Sequence, residues 1–106
     1  MSKVGIIGAG SWGCALAKLL SNNGNQVTVW SIMEDEITML KNDHEHKDNL
    51  PGVILPDDME FTTNLEAAVT DKDVLVLAVP SPFTRNTSAK MAPFIKDGQK
   101  IVNVAK

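Results

Sequence analysis

Six residues near the start of the chain, Gly8-Ala9-Gly10-Ser11-Trp12-Gly13, have the spacing G-x-G-x-x-G. Glycines so spaced suit backbone recognition of phosphate. Gly8 permits a sharp turn, Gly10 lets the main chain approach a pyrophosphate, and Gly13 lets a helix pack closely on a strand. A helix opening near Ser11 would aim its unpaired N–H groups and positive dipole end at the same anion. The pattern alone is weak. It becomes a dinucleotide fingerprint only where it joins a strand to a helix.

The flanking residues supply that context. Residues 3–7 are a short, β-branched run without alternation, as in a strand buried on both faces. Residues 14–20 are rich in helix formers. Asn22-Asn23-Gly24-Asn25 offers the left-handed residue and turn chemistry of a helix end, and residues 26–30 predict a second strand. Ile32, Met33, Ile37 and Leu40 recur at helical spacing, with Glu34, Asp35 and Glu36 in the first turn, where acids suit the helix dipole. Residues 44–58 read as a long polar surface loop.

Residues 59–63 predict a third strand, and residues 64–69 a brief helix capped by Asn64. The apolar run 74–79, after Asp73, predicts a central parallel strand stopped by Pro80-Ser81-Pro82. A helix is expected over 83–95, with Ser88, Met91, Ala92 and Ile95 on one face and Pro93 kinking or ending it. Asp97-Gly98 turns the chain into a last strand at 100–104. Alternating strands and helices imply an α/β class, a doubly wound parallel sheet or Rossmann fold. The expected strand order is 3-2-1-4-5, in a single domain spanning residues 1–106.

In such a sheet every strand's carboxyl end lies on one edge, and ligands bind in the crevice there. Gly8 and Gly10, Ser31 and Ile32, Pro80, and Lys106 follow strands 1, 2, 4 and 5 and should line that edge. The adenosine half of a dinucleotide would lie over strand 2, near Ser31 and Ile32. Its nicotinamide half would lie over strands 4 and 5, near Pro80 and Lys106.

Composition narrows the classes further. A net charge of −3 over 106 residues argues against nucleic acid as a partner. No apolar stretch approaches the roughly 20 residues that span a bilayer, and no leader is expected at the amino end. One cysteine, Cys14, makes no internal disulfide, so a cytoplasmic protein is expected. Cys14 reads as a small buried residue of the first helix rather than a reactive thiol. His44-Glu45-His46 reads as solvated loop surface, not a metal site, and Asp71 and Asp73 are assigned no catalysis. Asn86-Thr87-Ser88 falls on a predicted helix and is discounted as a glycosylation acceptor. The chain closes on Val104-Ala105-Lys106 directly after an apolar run, as a piece of a longer polypeptide would. An apolar patch is then expected around the last strand.

Several segments together resemble the NAD(P)-dependent glycerol-3-phosphate dehydrogenases of bacteria. They are residues 7–17 around the glycines, Val29-Trp30, Leu50-Pro51-Gly52, Ala78-Val79-Pro80-Ser81 and Ala105-Lys106. The resemblance covers the whole chain but only that family's amino-terminal, cofactor-binding half. It implies NAD or NADP as cofactor, with contacts at Ser11 and Trp12 beside the glycines. It also implies that Lys106 contacts both cofactor and substrate, where a cation could polarise a carbonyl. The implied reaction is hydride transfer at carbon 2 of dihydroxyacetone phosphate, giving glycerol 3-phosphate for phospholipid synthesis. The implied partner is that small-molecule substrate, with a homodimer as one expected assembly. A second lysine and the phosphate grip would belong to a carboxyl-terminal domain that this chain lacks, so the chain alone should not turn over.

Two positions depart from the family pattern: Ile32 stands where an arginine is frequent, and Asn49 where an aromatic is frequent. Ser31 also stands where an acid would bind a ribose 2′-hydroxyl. Preference between NAD and NADP stays open, leaning to NAD because no cation is visible for a 2′-phosphate. Alternatives are a ketopantoate or hydroxyacyl-CoA type dehydrogenase, a stand-alone nucleotide-binding module, and, less favoured, a methyl-donor-binding domain.

Overall fold

A computed structural model describes residues 2–46, 52, 54–56, 58–79 and 81–104, and for residues 11, 12 and 81–84 the backbone only. Its five strands are β1 (Lys3–Ile7), β2 (Gln26–Trp30), β3 (Glu60–Thr62), β4 (Val74–Leu77) and β5 (Lys100–Asn103). The helices are α1 (Ser11–Asn22), α2 (Glu34–Asp43), α3 (Leu65–Val69) and α4 (Ser81–Met91), followed by a 3₁₀ turn at Ala92–Phe94. The strands form one sheet in the order β3-β2-β1-β4-β5, and every pairing is parallel. The predicted doubly wound topology is therefore the observed one.

Alternation along the strands explains the two layers. Val4 and Ile6, Val27 and Val29, and Val76 face one side, where they meet Cys14 and Ala17 of α1 and Ile37 and Leu40 of α2. Ile7, Trp30, Leu75 and Leu77 face the other, against Ala68 and Val69 of α3 and Met91 of α4. β1, flanked on both edges and covered on both faces, is buried from Val4 to Ile7. Its Gly5 has a reason of its own, since a Cβ there would run into the carbonyl oxygen of Ala68. A small residue is what lets α3 lie directly on the sheet.

The helix ends follow their predicted chemistry, with one exception. Gly24 takes the left-handed conformation (φ +89°) just after α1, and Asn64 Oδ1 accepts from the Ala67 amide at 3.3 Å. By contrast, α4 begins at Ser81, two residues earlier than expected. Pro82 does not delay it, because a proline in the first turn forfeits only an amide that has no partner inside the helix. Pro93 does end the α-helix, and the chain tightens into the 3₁₀ turn. The inward face of α4 also differs: Thr87 and Met91 are buried, whereas Ala92 is exposed.

The stretch after α2 is less a surface loop than its polarity suggests. His44, in the left-handed region (φ 51°), caps α2, and its carbonyl accepts from the Leu55 amide at 2.6 Å. Leu55 and His46 are both buried, and Lys18 Nζ donates to the Ile54 carbonyl at 3.0 Å. The expectation of a solvated His-Glu-His surface is thus corrected for His46. Its imidazole is folded inward by a carboxylate partner from α2.

Candidate functional site

The ladder continues one step beyond each inner strand and so builds the carboxyl-end rim. The Gly8 amide donates to Trp30 O at 2.9 Å, Ala78 to Ile7 O at 2.8 Å, and Val104 to Leu77 O at 2.9 Å. On the outer side the Ser31 amide donates to Thr62 O at 3.2 Å. Gly8, Ser31, Ala78 and Val104 therefore share one sheet edge, as parallel pairing requires. Pro80 and Lys106, expected on the same edge, lie outside the described residues, as do Leu50, Pro51 and Ala105.

The three glycines of the turn are glycine for different reasons. Gly8 has φ +124°, and a Cβ there would sit 2.8 Å from the Ala78 carbonyl carbon and 2.9 Å from the Val79 amide. A side chain at Gly13 would collide with the carbonyl oxygen of Gly8, so α1 is packed down on the turn itself. Gly10 is unlike both. Its backbone (φ −70°, ψ −176°) suits any residue, and among the described residues nothing lies within 4 Å of where its Cβ would be. Among the seven glycines it alone has neither a positive φ nor a protein atom in the way. Neither the backbone angles nor the packing of the described residues requires glycine there.

That open space lies at the N-cap of α1. The Gly10 carbonyl accepts from Cys14 at 2.9 Å, which leaves the amides of Ser11, Trp12 and Gly13 without partners inside the helix. No acid occupies the first turn, so the positive dipole end of a twelve-residue helix is not neutralised by its own side chains. Cys14 closes the turn from below. It is fully buried, and its thiol donates to the Ala9 carbonyl at 3.3 Å. Burial, and then the negative charge of Glu36, push the thiol up to about 12. It is a packing residue, as expected.

Ser31 and Ile32 follow β2 on the same rim. Ile32 is 71% exposed, and Met33 beside it is also exposed. Ser31 is buried, and its hydroxyl donates to Glu36 Oε1 at 2.6 Å while accepting from the Met33 amide at 3.1 Å. Glu36 Oε2 lies 2.7 Å from His46 Nε2, with the imidazole 3% exposed. A carboxylate from the first turn of α2 thus reaches the residue that follows β2. The Glu36 carboxylate is bound to the hydroxyl of the residue that takes the acid's place. Sequence reading missed Glu36 because a helix dipole already explained an acid there. The usable signal was a serine at the strand end with an acid five residues on. Among the described residues no group of three His, Cys, Asp or Glu side chains could hold a metal, and no helix is long and apolar enough to cross a membrane.

Comparison with known proteins gives consistent matches. The family model described as the NAD-dependent glycerol-3-phosphate dehydrogenase N-terminus matches residues 3–106. A glycerol-3-phosphate dehydrogenase [NAD(P)+] of Agathobacter rectalis is 64% identical over the whole chain, which covers 32% of that relative. A second such enzyme, from Lactobacillus delbrueckii subsp. bulgaricus, is 49% identical over the whole chain and 31% of its own length. Among solved structures, glycerol-3-phosphate dehydrogenase from Coxiella burnetii superposes with a TM-score of 0.93 at 28% identity, over 99% of this chain and 32% of that one. The chain spans about a third of the length of the curated relatives it matches.

Proposed function

We propose a function from one premise: this chain belongs to the NAD-dependent glycerol-3-phosphate dehydrogenase family, as its amino-terminal, NAD-binding part. On that premise it forms one dinucleotide-binding domain over residues 1–106, holding NAD or NADP on the rim of the sheet. The reaction served is the interconversion of dihydroxyacetone phosphate and glycerol 3-phosphate, which supplies phospholipid synthesis. The expected setting is the cytoplasm, with a small-molecule substrate and a homodimeric assembly.

One observation carries the reading: at Gly10, at the amino end of α1, no described residue comes within 4 Å of where a Cβ would be. A pyrophosphate fits there because the first-turn amides can donate to it and the helix dipole favours its charge. Gly8 and Gly13 keep turn and helix close enough to form the cradle, with Ser11 and Trp12 opening the helix that borders it. Ser31 and Ile32 are assigned to the adenosine side. Pro80 and Lys106 are assigned to the nicotinamide side, following β4 and β5. The bound nicotinamide supplies the hydride chemistry. This chain's part is to bind, to orient, and, through the Lys106 ammonium, to polarise the substrate carbonyl. The groups that grip the substrate phosphate are assigned to a further domain of the family's polypeptide.

Calorimetric titration with NADH and NADPH tests the reading. Dissociation constants on the order of micromolar to millimolar are expected for at least one. Gly10→Val should leave the thermal midpoint nearly unchanged, since the backbone angles suit valine, while weakening binding more than about tenfold. Failure of both nucleotides to bind, or undiminished binding by the folded variant, would overturn it.

A further inference from the structure

We propose that Glu36 reads the adenosine ribose of the cofactor and makes this chain select NAD over NADP. The proposal rests on the cofactor-binding reading above and assigns a residue to a choice which that reading leaves open.

The geometry places a fixed carboxylate at the corner where β2 ends beside the glycine turn. The Gly8 amide bonds to Trp30 O, so the turn and the end of β2 are hydrogen-bonded neighbours. Ser31, the next residue, holds Glu36 Oε1 at 2.6 Å, within the short range of a hydroxyl bonded to a charged oxygen. His46 holds Oε2 at 2.7 Å, so neither oxygen is free to swing away. The Glu36 side chain keeps 14% of its exposure, and each oxygen has one further lone pair to offer. Its charge is felt across the corner: after burial, it is what raises the Cys14 thiol in the first turn of α1.

A carboxylate so held accepts a hydrogen bond from a ribose 2′-hydroxyl and repels a 2′-phosphate. Cationic compensation is not supplied by the next two residues, since Ile32 and Met33 are apolar and exposed. The missing strand-end acid and the missing arginine therefore point the same way. Selection here comes from a repulsive charge as well as an attractive one.

The test is parallel titration of NADH and NADPH into the chain and its Glu36→Gln variant, followed by heat release and by the ligand-induced rise in thermal midpoint. The wild-type chain should bind NADH at least about tenfold more tightly. Glu36→Gln keeps the shape and removes the charge. It should bring the two affinities within about threefold, chiefly by tightening NADPH. Equal wild-type affinities, or a ratio unchanged in the folded variant, would overturn the proposal alone. Binding of neither nucleotide would overturn the cofactor-binding reading, and the proposal with it. If Glu36→Gln does not fold by circular dichroism, Ser31→Ala replaces it. Freeing one oxygen of the carboxylate should then shrink the preference, and an unchanged preference would count against Glu36.

Discussion

Two glycines of the turn show how a single position can be tied to fold or to function. Gly8→Ala forces a Cβ into the Ala78–Val79 backbone at a φ of +124°. It should cost more than about 2 kcal/mol, read as a lower urea midpoint. The same change at Gly10 meets no described residue and should be nearly silent in that measurement. Cys14 gives a second residue-scale prediction. With its thiol pushed up to about 12, only about one molecule in ten thousand carries a thiolate at pH 8, so an aromatic disulfide reagent should label the native chain slowly and the urea-unfolded chain at once. The sign of its pH dependence follows. The folded-state value lies above the ordinary 9.0, so the buried thiol's contribution is complete below pH 9. It is lost between pH 9 and 12, at no more than about 1.4 kcal/mol per pH unit, because the unfolded thiol ionises first. Stability that stayed level up to pH 11 would contradict that placement.

At the scale of elements, β1 and β2 are observed with the bounds that sequence predicts, because five-residue β-branched runs between turn residues leave little choice. The glycine turn was equally legible from its spacing between a strand and a helix, although what Gly8 must accommodate, the Ala78–Val79 backbone, lies far along the chain. What sequence did not reveal depends on partners from elsewhere in the fold. The start of α4 was hidden by reading two prolines as a stop, although one in a first turn is harmless. His46 was hidden because its partner, Glu36, stands ten residues away, across α2 and a cap at His44. Packing between elements yields a further prediction. Gly5→Ala in β1 adds a methyl where the Ala68 carbonyl of α3 already sits. It should cost about 1–3 kcal/mol and speed amide exchange in α3 before the strands. An alanine variant with unchanged stability and exchange would mean that α3 can shift at no cost.

For the whole molecule, the two sheet edges are protected unequally. β3 is three residues long and opens on exposed Glu60, a poor template for another strand. β5 at the opposite edge is exposed along its whole length, with Ile101 at 48% and Val102 at 46%. Adjacent apolar residues on an edge strand are the arrangement that recruits a second surface, and the apolar patch expected from sequence lies there. The chain should therefore self-associate weakly as its concentration rises, and it should enhance the fluorescence of a dye that binds apolar surface. Ile101→Lys places a charge on that edge without touching the core or the glycine turn. It should shift sedimentation velocity profiles to a single monomeric species and quench the dye signal, with nucleotide affinity unchanged. A wild-type chain that sediments as a monomer at every concentration and leaves the dye dark would show that β5 is too short, or too well flanked by Lys100, to recruit anything.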